Sequence, residues 1–139
     1  MIGIVVASHG KLADEMVATA RQIVGELPQT TTCSVAPGSS ADQLKNDLKA
    51  AIARVDTGEG ALVLTDLFGG SPCTQSLNLC NSCRMEVLSG VNLPMLLKAN
   101  SLRADTPLPQ LARSLAEYGQ RNITVASELL RSETGRPLH

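Results

Sequence analysis

Two short runs of uninterrupted apolar residues, Ile2 to Ala7 and Ala61 to Leu64, set the strongest limit on how this chain folds. A strand with one face in water alternates polar and apolar residues. A run without alternation must be buried on both faces, the condition of a central strand in a parallel sheet covered by helices. The segments around these runs supply the helices. After the first run, Leu12, Met16, Thr19, Ala20 and Ile23 recur at three- and four-residue steps, and Gly25 stands where a helix C-cap is wanted. Residues 30 to 36 have strand character and end at Pro37-Gly38. Ser40 with Gln43 three residues on reads as a capping box, opening a helix with Leu44, Leu48, Ile52 and Val55 on its buried face.

The second apolar run delivers Thr65 and Asp66 to the loop Leu67-Phe68-Gly69-Gly70-Ser71-Pro72, where Ser71 reads as N-cap and Pro72 as the first helical residue. Residues 85 to 89 predict a fourth strand, and Asn92 and Pro94 announce a helix through about Arg103. A last long helix opens at Thr106-Pro107, turns Leu108, Leu111, Leu115 and Tyr118 inward and stops at Gly119. Ile123 to Ala126 reads as a short fifth strand. The expected fold is α/β: an open, mostly parallel four-stranded sheet with helices on both faces and a short C-terminal strand. With 139 residues against roughly 150 per domain, the expected organisation is a single domain over residues 1–131 and a frayed tail over 132–139.

Composition removes several functions. Twelve Lys plus Arg against thirteen Asp plus Glu give a net charge of -1, no footprint for nucleic acid or an anionic membrane surface. With one Tyr, one Phe and no Trp, the chain has no base-stacking platform. No stretch reaches the ~18 apolar residues of a membrane span, and the N-terminus lacks a basic leader, so a cytoplasmic protein is expected. The four cysteines are too few and too uneven for a disulfide framework. Cys73, Cys80 and Cys83, spaced to share one broad face of a helix, are assigned to core packing rather than to metal or redox chemistry. No metal and no cofactor is expected.

Only two histidines are present, His9 and the terminal His139, so histidine chemistry rests on His9. His9 follows a buried strand directly and heads a helix. Asp66 closes another buried strand, and in such sheets reacting groups collect at the carboxyl ends of the strands. If the two strands are neighbours, the Asp66 carboxylate reaches one ring nitrogen of His9, fixes the tautomer and leaves the other nitrogen as a nucleophile. Gly69, Gly70 and Ser71 add backbone N–H groups and a hydroxyl at the start of a helix, an arrangement suited to a phosphoryl group. Neither GxxxxGK[ST] nor GxGxxG occurs, so nucleotide binding has no direct support.

IVVASHG with His9, TDLFGGSP at 65–72 and SGVNLPML at 89–96 together resemble the IIA component of the mannose family of the bacterial phosphoenolpyruvate:sugar phosphotransferase system (PTS). The order and spacing match over essentially the whole chain. The resemblance implies that His9 accepts a phosphoryl group at Nε2 from the phosphocarrier HPr and passes it to a IIB component, with Asp66 on Nδ1 and Gly69, Gly70 and Ser71 around the phosphoryl oxygens. It implies that Ser8, Gly10, Phe68, Asn92 and Pro94 wall the site or touch partners. It also implies one antiparallel strand and a homodimer that exchanges C-terminal strands, with the membrane reached only through IIC and IID components. Many relatives join the IIA unit to a IIB domain; none is found through His139, so a free-standing regulatory IIA, whose His9 phosphorylation is read by a partner, is the alternative. The phosphotransfer subunit of dihydroxyacetone kinase is disfavoured by Phe68-Gly69-Gly70-Ser71-Pro72, and a receiver domain by the missing acidic pair after the first strand.

Overall fold

The computed structural model describes residues 1–67 and 69–133. Four strands, β1 (Gly3–His9), β2 (Thr30–Val35), β3 (Ala61–Thr65) and β4 (Met85–Ser89), form one sheet in the order β2-β1-β3-β4, with every pairing parallel. Helices α1 (Leu12–Val24), α2 (Ala41–Val55), α3 (Ser71–Leu77), α4 (Leu93–Leu102), α5 (Leu108–Arg121) and α6 (Ala126–Glu133) connect and follow them.

The two apolar runs are the two central strands, and successive side chains feed two separate cores. Ile4 and Val6 of β1 and Leu62 and Leu64 of β3 pack with Ala13, Val17 and Ala20 of α1, with α4 and with α5. Val5 and Ala7 with Ala61 and Val63 pack instead with Leu44, Leu48, Ala51, Ile52 and Val55 of α2. Ser40 caps α2 by accepting from Gln43 N at 3.0 Å, while the Gln43 side chain turns to Asp47, so only half of the expected capping box forms.

Several sequence expectations shift. In α1 the buried face is Ala13, Val17 and Ala20, whereas Leu12 and Ile23 are exposed. Apolar residues lie on more than one side of this helix, and the small alanines take the sheet-facing stripe. Gly119 is no stop: it lies buried inside α5, where a Cβ would come within 2.7 Å of Met95 Cε, so glycine there lets α4 and α5 approach. Ile123 to Ala126 is not a strand. Residues 123–125 are irregular and α6 begins at Ala126; among the described residues no strand pairs with this segment. Of the tail, residues 134–139 lie outside the described residues.

Arg103, which the sequence places at the end of the helix opened by Asn92 and Pro94, is 1% exposed. Its guanidinium donates to the carbonyls of Ile2, Pro28 and Gln29 and to Thr30 and Asn100, tying the amino ends of β1 and β2 to the end of α4. The cysteines divide. Cys73 is buried in α3, but the helix ends at Leu77, leaving Cys83 half-buried and Cys80 exposed in the turn beyond it.

Candidate functional site

The sheet order places the topological switch between β1 and β3, since the chain leaves β1 to build β2 on one side and returns to build β3 on the other. Ala7 pairs with Thr65, the last residue of β3; β1 runs two residues further against β2, Ser8 opposite Ser34 and His9 opposite Val35, while Asp66 follows β3 at the same edge of the sheet. Asp66 Oδ2 accepts two hydrogen bonds from His9, from the backbone N at 3.0 Å and from Nδ1 at 2.8 Å. Asp66 Oδ1 accepts from Leu67 N at 2.9 Å. The carboxylate is therefore fully engaged, and its side chain is only 9% exposed while that of His9 is 48% exposed.

Burial alone would raise the Asp66 pKa, but the hydrogen bonds from His9 N and Nδ1, the charge of His9 and the bond from Leu67 N outweigh it and hold the carboxyl below its ordinary value. An ionised Asp66 can only accept, so Nδ1 carries the proton, and in the neutral ring the lone pair lies on Nε2. Nε2 has no hydrogen-bond partner among the described residues. The result is a half-exposed imidazole with its tautomer fixed from below and a nucleophilic nitrogen turned outward.

Gly70 brings the loop close to the ring edge. A Cβ there would stand 3.0 Å from His9 Cε1, so any larger residue would have to displace the ring or the loop by a few tenths of an ångström. Gly70, not Ser71, is the N-cap of α3; Ser71 is the first helical residue and Pro72 the second. The offset leaves the exposed Ser71 with no capping hydrogen bond and keeps its hydroxyl uncommitted to the helix end. Gly69 precedes it in the turn, and Gly10 forms the exposed turn after His9.

The remaining predicted residues take other places. Ser8 is fully buried and is neither an exposed wall nor a partner contact: its Oγ accepts from Ala13 N at 2.7 Å and donates to His9 O at 3.0 Å. Asn92 is the N-cap of α4. Its Oδ1 accepts from Met95 N and its Nδ2 donates to Gly119 O, both at 3.0 Å, so both ends of the amide serve the α4–α5 packing. Pro94 lies in the first turn of α4, half-buried. Phe68 lies outside the described residues. Sequence reasoning missed that Leu12, three residues after His9, and Leu67, next to Asp66, leave apolar side chains exposed. Their only signal was being apolar close to His9 and Asp66 in sequence. Among the described residues no group of three or more His, Cys, Asp or Glu side chains could hold a metal ion, and no helix is long and apolar enough to cross a membrane.

Fold and site define an α/β protein with a histidine–carboxylate pair at the carboxyl edge of its central strands. Comparison with known proteins places that description. A family profile described as "PTS system fructose IIA component" matches residues 3–116. The mannose-specific EIIAB component of the PTS from Escherichia coli (strain K12) is 32% identical over 124 residues, covering 88% of this chain but 38% of that protein. The fructose-specific EIIA component from Bacillus subtilis (strain 168) is 28% identical over 131 residues, covering 94% of this chain and 90% of that one. Among solved structures, the mannose/sorbose-specific IIA subunit from Enterococcus faecalis superposes with a TM-score of 0.80 at 28% identity, over 89% of this chain and 93% of that one. The chain belongs to the mannose, fructose and sorbose IIA family of the phosphotransferase system.

Proposed function

We propose that this chain is a phosphoryl carrier of sugar uptake, taking the group from phospho-HPr on His9 and passing it to a IIB component. The observation that carries this reading is the 2.8 Å bond between His9 Nδ1 and Asp66 Oδ2 beneath a half-exposed ring. In the uptake step the Nε2 lone pair attacks phosphorus and the P–N bond to the donor imidazole breaks, its electron pair returning to the donor. His9 keeps its Nδ1 proton and becomes a phosphorylated imidazolium, whose positive charge Asp66 offsets. Release to IIB is the same displacement in reverse, with the IIB nucleophile attacking and His9 Nε2 leaving. The protein thus supplies positioning and electrostatics rather than covalent work on the phosphoryl group.

Gly69, Gly70 and Ser71 are assigned to the phosphoryl oxygens, supported by the placement of Gly70, where an added Cβ would meet His9 Cε1 at 3.0 Å. Gly10, Leu12 and Leu67, all exposed, are assigned to partner contact, and Phe68 is assigned to it from its place in the sequence alone. The chain would work in the cytoplasm and meet the membrane only through IIC and IID. A homodimer is part of this reading, supported by the open edge of β4 and by the exposed Ile123, Val125, Leu129 and Leu130 in the segment that follows α5.

The test is phosphoenolpyruvate-dependent labelling in the presence of enzyme I and HPr. The expected label is acid-labile and base-stable, and it is absent from the His9→Ala variant. A His9→Ala protein that still takes up label removes His9 from the reaction.

A further inference from the structure

Helix α1 begins without a cap of its own: Lys11 occupies the N-cap position and makes no side-chain hydrogen bond to the first turn. The missing acceptor comes from the strand before it. Ser8 Oγ accepts from Ala13 N at 2.7 Å across the turn and uses its own proton on the His9 carbonyl at 3.0 Å. A hydroxyl has one proton to give and lone pairs to receive, so both roles are filled at once. The Ala13 bond is buried, so water offers that N–H no substitute, while the bond to the His9 carbonyl is part-buried.

The consequence lies in how His9 is held. Its amide N and its Nδ1 are both bound by one carboxylate oxygen of Asp66, which fixes the amino side of the residue and one point of the ring. Two bonds that meet at a single oxygen still permit rotation about that oxygen. The Ser8 bond to the His9 carbonyl fixes the peptide plane on the other side and anchors it to α1. Gly70 then limits the ring at Cε1, where a Cβ would stand at 3.0 Å. We propose that Ser8 is a positioning residue for the His9 nucleophile: its hydroxyl locks the His9 peptide to the start of α1, so that the ring keeps one orientation on Asp66. This rests on the reading of His9 as the phosphoryl acceptor. The geometry of the ring can nevertheless be measured without any phosphoryl transfer.

The experiment uses the full chain and its Ser8→Ala and Ser8→Thr variants in two arms. The first arm records the His9 Nδ1–H signal of the unphosphorylated protein by NMR, with thermal unfolding alongside. The second measures uptake of the phosphoryl group from phospho-HPr as kcat and KM. In Ser8→Ala the Nδ1–H signal is expected to broaden or split, and kcat to fall about tenfold with KM within twofold of wild type, since misplacing a reacting group by a fraction of an ångström costs on that scale. Ser8→Thr, which keeps the hydroxyl, is expected to restore the signal and most of kcat. A Ser8→Ala protein that melts lower but keeps a sharp wild-type Nδ1–H signal overturns the proposal, because Ser8 then serves only the helix. So does a Ser8→Thr protein that folds and is as impaired as Ser8→Ala. Failure of wild-type protein to be phosphorylated would sink the functional reading and leave the NMR arm to decide Ser8 alone.

Discussion

Replacing Asp66 by Asn keeps size and shape but cannot keep the hydrogen bonding, and the consequences follow from the three donors around it. His9 N and Nδ1 meet Oδ2 at 3.0 and 2.8 Å, and Leu67 N meets Oδ1 at 2.9 Å. An amide offers one oxygen. Placed at the Oδ2 position, that oxygen still serves both His9 groups, but the NH2 group then faces the Leu67 N–H, donor against donor. Flipped, the NH2 group faces His9 N–H and demands that Nδ1 accept, which moves the ring proton to Nε2 and removes the nucleophile. The first orientation is the less costly. In it the charge-assisted hydrogen bond from Nδ1 becomes a neutral one, losing about 1 kcal/mol, and the carboxylate's attraction for the imidazolium that forms on phosphorylation is lost, about 1 kcal/mol more. Because the ring is half exposed, water takes up part of the charge and the sum stays at about 2 kcal/mol, a rate about 30-fold lower. Rapid-quench measurement of label transfer from phospho-HPr, with circular dichroism to confirm folding, reads this directly. A folded Asp66→Asn protein within threefold of the wild-type rate would refute the assignment of Asp66 as the group that supports the charged ring.

Two further perturbations separate geometry from charge. Gly70→Ala brings a Cβ to 3.0 Å from His9 Cε1, inside the ~3.5 Å of an ordinary carbon contact, while Asp66 pins the ring at Nδ1. Transfer should slow about tenfold with little change in melting temperature, a pattern opposite to that of a core defect. The pH dependence of stability follows from the depressed Asp66 carboxyl. A group whose folded pKa is lowered contributes stability above its unfolded value, near 3.8, and loses it as pH falls through the lower folded value. The melting temperatures of wild type and Asp66→Asn should therefore differ at pH 7 and converge below about pH 4; a constant gap down to pH 3 would contradict the shift.

The sequence made the central strands, the order of elements and the His9–Asp66 pair legible for one reason. Each rests on a local pattern, an unbroken apolar run or a polar residue at the end of one. What it hid depends on contacts between distant segments. The burial of Arg103 at the end of its helix was hidden because its partners are mostly main-chain carbonyls, of Ile2, Pro28 and Gln29, which carry no residue-specific signal. Gly119 reads as a helix stop because only the approach of Met95 reveals that its missing side chain is used for packing. Ile123-Thr124-Val125 has strand composition, but a strand exists only with a neighbour, and pairing is not written in the segment itself. Ser8 reads as a site wall because it adjoins His9. Its burial follows from the turn that folds α1 back over the end of β1.

The two central strands carry a difficulty that the site itself helps to solve. Strands apolar on both faces specify their register weakly, because a slip of one residue exchanges one apolar set for another. In β1 that would exchange Ile4 and Val6 for Val5 and Ala7, and the penalty would be one of size and packing rather than of burying polar groups. The polar residues at the carboxyl ends are less forgiving. In the observed register Asp66, just past the end of β3, reaches both His9 N and Nδ1 at the end of β1. Slipped by one, the largely buried Asp66 carboxylate would lose these matched partners at the cost of an unpaired charged group. The carboxylate that prepares His9 for transfer therefore also helps to select the pairing of β1 with β3, and the chemistry and the register of these two strands are specified by the same hydrogen bonds.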